Sequence, residues 1–407
     1  MNRLLMILLL LPLIATGARA DAIDETFARH AAAGTYGPGA AEIAGLAAAD
    51  PARAGAAEGA MRFALAIEHL GQGLYRYGLA PPSSRETMVL PVLRYPVPDN
   101  PAPQQITYQD FRHILESLVA DLDAADRALA RLGNSDVKLP VDLARLAIDF
   151  NADGRTTPEE TLGGSLARMM GAMPEPGTMP DMTVAFDTAD IYWMRGYSRF
   201  VSGFAQFLLA HDFEPLFDKT FHLFFPRGGL ATGDQLARNR SVAPYVDGEI
   251  GDLIAFVHLL NWPVTDSARL ADVRMRLLGM AEMSKLSWAA ARRETDDDRE
   301  WLPTARQTGA MTGASLADET IDGWLTVMDE FTAILEGRKL MPHWRFDRGM
   351  NVKRMFAEQK TFDLVLLITG TDAAAYLEDG PVSTSAEWNR IMAVFQGNFL
   401  GYALWFN

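Results

Sequence analysis

Between Asp149 and Glu160 the chain reads DFNADGRTTPEE, with oxygen-bearing side chains at the first, third, fifth, ninth and twelfth places. These are Asp149, Asn151, Asp153, Thr157 and Glu160, and Gly154 stands sixth. Acids and an amide spaced two apart can turn their oxygens inward on a loop, and a glycine permits the sharp bend that closes it. Such an oxygen set suits a hard cation, above all calcium, which takes six to eight oxygen ligands. No other stretch of the sequence names a chemistry so directly.

The segment resembles the calcium loop of the EF-hand family, D-x-[DN]-x-[DN]-G-x5-E, without a mismatch. The resemblance covers about residues 138–171, flanks included. It implies that Asp149, Asn151 and Asp153 offer side-chain oxygens and that Arg155 gives its backbone carbonyl. Thr157 then binds directly or through a water, and Glu160 clamps the ion with both oxygens. Val141, Leu143, Leu146, Ala147 and Phe150 are expected to form a short apolar entering helix. Thr157, Pro158 and Glu160 read as the N-cap, first-turn proline and third residue of the exiting helix. Glu160 cannot serve fully as capping acid and as bidentate ligand, and with metal bound the ligand role is expected to win.

The chain departs from the family in three respects. Position eight, usually a β-branched aliphatic that pairs with a second loop, is Thr156, and no second matching loop exists. The stretch around Asp379-Gly380 lacks the earlier acids and has Glu387 one place late. Gly163-Gly164 also weaken the exiting helix. A lone loop points to a structural calcium rather than a cooperative sensor. Three ligand acids beside Arg155 suggest an affinity in the roughly 10⁻⁴–10⁻³ M range of extracellular modules.

Two further constellations have ordinary readings. HDFEPLFDKTFH gathers His211, Asp212, Glu214, Asp218 and His222, types that could bind a transition metal or move protons. The spacing matches no zinc signature, and a helix-end turn with solvated charges accounts for it. Arg338, Lys339, Arg345, Arg348, Lys353 and Arg354 form the one basic island, with Trp344 and Phe346 between them. An anionic ligand or a protein partner could dock near Arg338–Arg354, while pairing with neighbouring acidic helices is the simpler use of such charges. There is no phosphate loop with G-K-[ST] and no G-x-S-x-G elbow, and Ser135-x-x-Lys138 falls where a turn is expected.

Helical periodicity must position these residues. Phe111, Ile114, Leu115, Leu118, Leu122, Ala125, Leu129 and Leu132 lie on one face of a helix over 107–132, opened by Thr107 and Asp110. The same steps predict helices over 61–77 and 189–209, and a last one carrying Trp388, Ile391, Phe395, Phe399 and Tyr402. Others are expected near 38–47, 247–260, 266–293, 316–336 and 350–358. Strand signals are scarce. Seven prolines over 81–106, and those within 172–187, break the pattern. The apolar run Leu364 to Ile368 has the length of a buried core segment, and the eight tryptophans are expected mainly in the core. The fold class is all-α: a multi-helix array of antiparallel helix pairs with one embedded EF-hand-like helix-loop-helix. One large domain over 21–407 is favoured over a division into 21–172 and 181–407.

Arg3, the apolar run from Leu4 to Ile14 and the small-x-small Ala18-Arg19-Ala20 read as a secretory signal peptide over 1–20. The run is too short to span a bilayer, and no membrane span is expected elsewhere. There is no cysteine, so cores and metal ions rather than disulfides must hold an exported chain. The net charge is −15, and loss of residues 1–20, with Arg3, Arg19 and no acid, takes it to −17. Such a charge disfavours nucleic acid and anionic lipid. The expectation is a periplasmic or secreted calcium-binding helical protein with a binding or scaffolding role. The rival is an (α/α)-toroid-like enzyme acting on acidic carbohydrate, with an adaptor of solute uptake as a third reading.

Overall fold

Side-chain caps start the long helices. Residues 22–33 form α1, followed by α2, Tyr36–Leu46. Asp50 accepts the Arg53 N–H at the start of α3, Pro51–Arg76, whose first residue is a proline. Thr107 and Asp110 make the expected capping box of α4, Tyr108–Leu129. Asp187 and Asp190 make another on α5, Thr188–Leu209. Then come α6, Glu214–Thr220, α7, Gly248–His258, and α8, Ser267–Ala291, which is capped by Asp266. The chain continues with α9, Asp318–Leu335, α10, Val352–Glu358, α11, Leu364–Thr369, and α12, Ser385–Val394. This computed structural model describes residues 22–80, 97–133, 135–157, 160–162, 164, 183–229, 248–309, 316–395, 399 and 402–403. Residues 1–20, most of the proline-rich zone at 81–106 and residues 172–182 lie outside that set.

The molecule is an all-α array. The helices pack in succession, α2 on α3, α3 on α4, α4 on α5, α5 on α8, α8 on α9 and α9 on α12. The α3–α4 contact is close because α3 presents glycine to it: a Cβ on Gly59 would lie 2.4 Å from Leu129 Cγ. Arg276 on α8 reaches Asp123 on α4 and Ser202 on α5, and Arg195 and Arg199 on α5 both bind Asp126. One apolar cluster joins α1, α2 and α3 to Leu139, Val184, Ile191 and Met194, so residues on both sides of 172–181 share a core. No described helix is long and apolar enough to cross a membrane.

The strands are short antiparallel pairs. Lys138–Asp142 (β1) pairs with Thr183–Asp187 (β2), with Lys138 opposite Asp187 and Asp142 opposite Thr183. Asn261–Pro263 (β3) pairs with Thr361–Asp363 (β5), and Gly349–Met350 (β4) with Leu377–Glu378 (β6).

The first pair corrects the reading of the loop's approach. No entering helix forms: β1 is followed by a 3₁₀ turn over Leu143–Arg145, then by extended chain. Leu143, Leu146, Ala147 and Phe150 recur at helical steps, but Leu139, Val141 and Leu143 are all buried and alternate as a strand of period two does. β2 also supplies order at the end of the 172–187 zone, and Lys138 lies in β1 rather than in a turn. The Leu364 to Ile368 run is helical but not core, with Val365, Leu366 and Ile368 among the exposed large apolar residues. Among the described tryptophans Trp262, Trp288 and Trp324 are buried and Trp193, Trp301 and Trp388 partly so, while Trp344 is exposed.

Candidate metal centre and a buried carboxylate cluster

The sequence between Asp149 and Arg155 folds on itself through its own side chains. Asp149 accepts N–H bonds from Asp153 (3.2 Å) and Gly154 (2.9 Å), one on each carboxylate oxygen. Asn151 Oδ1 accepts the Asp153 N–H at 2.9 Å, and Asp153 Oδ1 accepts the Arg155 N–H at 2.8 Å. Asn151 Nδ2 donates to Asp153 Oδ2 at 3.3 Å. Ala152 and Gly154 adopt φ of 58° and 72°. Nothing crowds Gly154, so its left-handed backbone alone requires glycine there. Thus Asp149, Asn151 and Asp153 are brought together, while Arg155 and Thr157 lie exposed further round the loop.

Glu160 is buried at the end of the loop. It is 4 % exposed, its Oε2 accepts the Thr157 N–H at 3.0 Å, and its Oε1 is buried with no hydrogen-bond partner. The capping role is therefore filled by one oxygen, and the other is left over. A buried carboxylate oxygen without a donor is costly unless a cation or proton meets it. The remaining oxygens each accept one N–H and keep a second lone pair. The donor set is all oxygen, as calcium requires, so the residues present fit that ion.

The loop is fixed to the array at its base. Ile148 N–H donates to Glu160 O at 2.7 Å and Leu162 N–H to Leu146 O at 2.8 Å, so the two stems pair with each other. Glu68 on α3 accepts the Asp149 N–H at 3.1 Å, and Gln72, one turn on, donates to Asp149 O at 2.9 Å. Tyr36 donates its hydroxyl to Ala147 O. Burial pushes the Glu68 carboxyl up to about 7, with the nearby Asp149 charge adding to the rise.

A second assembly was not foreseen from the sequence. Carboxylate oxygens of Asp187, Glu294 and Glu300 all lie within 4.8 Å of one another. Asp187 ends β2 and caps α5: its Oδ1 accepts the Ala189 N–H at 2.7 Å. Asp190, on the first turn, accepts the Asp187 N–H at 3.2 Å and is 1 % exposed. Glu294 and Glu300 come from the segment that leaves α8, where Gln307 Nε2 donates to Glu294 at 3.0 Å. Glu300 is 2 % exposed, and its Oε1 has no partner. Lys138, opposite Asp187 on β1, gives its ammonium to Asp296 and Asp298.

Burial and mutual repulsion hold protons on this cluster. The Glu294 and Glu300 carboxyls are pushed up to about 8, first by burial and then by neighbouring carboxylates, Asp187 among them. Asp190 is held well above the usual range for the same two reasons, and burial raises Asp187. Asp187 and Glu294 bring carboxylate oxygens within 4.8 Å of each other, so each disfavours the other's charge. The sequence signals were Asp187-x-x-Asp190 before an apolar helix and the acid-rich 294–300 run, both of which also fit caps and solvated charge.

The other two constellations disperse. His211 is fully buried among Phe207, Trp262 and Phe362, its Nδ1 on Phe207 O at 2.6 Å, and burial lowers its pKa. His222 is buried separately, Asp212 Oδ1 accepts the Glu214 N–H, and Glu214 and Asp218 are exposed. Among the described residues the group at Asp187 is the one cluster of histidine or acids with metal-ligand spacing. In the basic island, Arg338 pairs with Glu336, Lys339 with Glu330, Arg348 with Asp379, and Arg354 with both Glu358 and Glu378. Arg345 stacks on the exposed Trp344 ring at 4.3 Å. These pairs run to acids of the island's own surroundings, as expected of structural charge.

Comparison with family models, curated proteins and solved structures finds no match to this chain.

Proposed function

We propose that this chain is an exported calcium-binding helical protein whose ion, held at 149–160, is structural and serves a binding or scaffolding surface. The observation that carries the reading is Glu160 Oε1, buried without a partner at the twelfth loop position, where a calcium loop places its clamping oxygen. Asp149, Asn151 and Asp153 supply further oxygens, Thr157 a hydroxyl and Arg155 its backbone carbonyl. The ion supplies the positive charge that these groups lack. The ordering it brings passes to α3 through Glu68 and Gln72, both bonded to Asp149.

A structural role is favoured over a sensor because the loop's stems are already paired in cis and its base is tied to α2 and α3. The export signal in residues 1–20 suits a calcium-rich exterior, where even modest affinity keeps the site filled. Calorimetry of the full chain tests this: calcium is expected to raise the melting temperature, and Asp149→Ala to remove the loop's share of that rise. An unchanged melting point in the wild-type chain sinks the reading.

A further inference from the structure

We propose that Asp187, Glu294 and Glu300, converging at the first turn of α5, form a second divalent-cation site, built for calcium and independent of the 149–160 loop. The oxygens lie within 4.8 Å of one another, and calcium bonds of about 2.3–2.6 Å let one ion bridge oxygens that far apart. The donors are carboxylates, which select hard ions over the transition metals that favour nitrogen and sulfur.

The decisive feature is Glu300. Its side chain is buried, and Oε1 has no donor of any kind. The protein's own donors account for other oxygens of the group: Ala189 N–H meets Asp187 Oδ1, and Gln307 meets Glu294. None of these donors reaches Glu300 Oε1. Lys138 does not fill the gap, since its ammonium lies on Asp296 and Asp298. A cation between the three carboxylates meets the orphaned oxygen and offsets their mutual repulsion.

Asp190 is a positioning residue in this arrangement. It accepts the Asp187 N–H and fixes the turn on which Asp187 stands. Arg299 adopts φ 69°, a left-handed conformation uncommon outside glycine, immediately before Glu300. The positive end of α5 opposes a cation there, but its partial charge of about half a unit is small beside three carboxylates.

The site is tested by counting ions on the calcium-stripped full chain, using native mass spectrometry and calorimetric titration with calcium chloride. Two ions are expected on the wild type, one on Asp149→Ala, one on Glu300→Gln, and none on the double variant. Terbium supplies a local readout: Trp301 adjoins Glu300 and packs at 5.4 Å on Trp193, so tryptophan-selective excitation should sensitise an ion held there. That emission should persist in Asp149→Ala and fall at least tenfold in Glu300→Gln. Glu300→Gln keeps the size of the side chain and removes a carboxyl that burial and its acidic neighbours disfavour as an anion, so its melting temperature in chelator should be unchanged or higher. If it does not fold, Glu294→Gln takes its place with the same readouts. A single wild-type ion lost in Asp149→Ala overturns this site and leaves the loop standing. A single ion lost in Glu300→Gln supports this site and removes the loop. Full stoichiometry and emission in Glu300→Gln overturn it outright.

Discussion

The 149–160 loop and the cluster at the start of α5 use the same side chains under opposite conditions. The loop's acids lie within twelve residues, with Asp149 half-buried, Asp153 exposed and Glu160 buried, and are held by backbone N–H groups of that same stretch. The cluster's acids come from Asp187, Asp190, Glu294 and Glu300 and are enclosed by β1, β2, α5 and the exit of α8. Charge on Asp149 and Asp153 is cheap because water and amides solvate it. Charge in the cluster is costly because burial removes water and leaves the acids facing one another. Both assemblies leave one carboxylate oxygen orphaned, Glu160 Oε1 in the loop and Glu300 Oε1 in the cluster. The β1–β2 ribbon links them, with Lys138 and Asp187 at one end and the chain running on to the loop from the other.

The largest expected effect separates the two by calcium. At calcium about twentyfold above the loop's Kd, binding stabilises the fold by about 1.8 kcal/mol, which Asp149→Ala forfeits. In chelator the same substitution should cost much less, because the bonds it removes lie in an exposed turn. Denaturant melts with and without calcium check this, and an equal loss in both conditions breaks the distinction between the regions.

The next effect belongs to the cluster and needs no metal. Asp187 caps a 22-residue helix, with its Oδ1 on two first-turn N–H groups. Asp187→Ala should cost about 1 kcal/mol in chelator, while Asp187→Asn, which caps as well and carries no charge, should be close to neutral. If the asparagine variant is as unstable as the alanine one, the charge itself is what the fold uses.

Acidity gives a smaller, signed test. Glu294 and Glu300 titrate near 8 in the fold, above the ordinary glutamate value. Between about 4.3 and 8 the folded chain therefore binds more protons than the unfolded one, so stability falls as pH rises through that window. Glu68, at about 7, adds a slope of the same sign. Melting temperatures in chelator from pH 5 to 8.5 should decline in the wild type and decline less in Glu294→Gln. A flat wild-type profile means that the cluster is more open than its geometry indicates.

The same contrast explains what could be read in advance. The loop was legible because its donors are set by position within one short segment, and the long helices because their apolar stripes recur every three or four residues. β1 was not, since the helical steps of Leu143, Leu146, Ala147 and Phe150 overlap the alternation of Leu139, Val141 and Leu143, and the choice was made by pairing with Thr183–Asp187, forty-odd residues on. The cluster was illegible for a related reason: Asp187 and Asp190 read as a cap, Glu294 and Glu300 as solvated charge. Only packing of α5 against α8 joins them. Leu364 to Ile368 shows the converse, an apolar run whose neighbours leave much of it in solvent.

The smallest expected effect asks whether the loop needs a partner. Position eight is Thr156, exposed, where the EF-hand family usually carries a β-branched aliphatic that pairs with a second loop. Here the pairing is made lower down and within one chain, by Ile148 with Glu160 and by Leu146 with Leu162. Thr156→Val restores the aliphatic while changing a surface side chain, so stability should move by less than about 0.5 kcal/mol. Calcium affinity should change by less than threefold, and the chain should sediment identically with and without the ion. Calcium-dependent dimerisation of this variant would mean that the loop edge is free to pair, and that its difference from the buried cluster is one of sequence at a single position rather than of the surrounding fold.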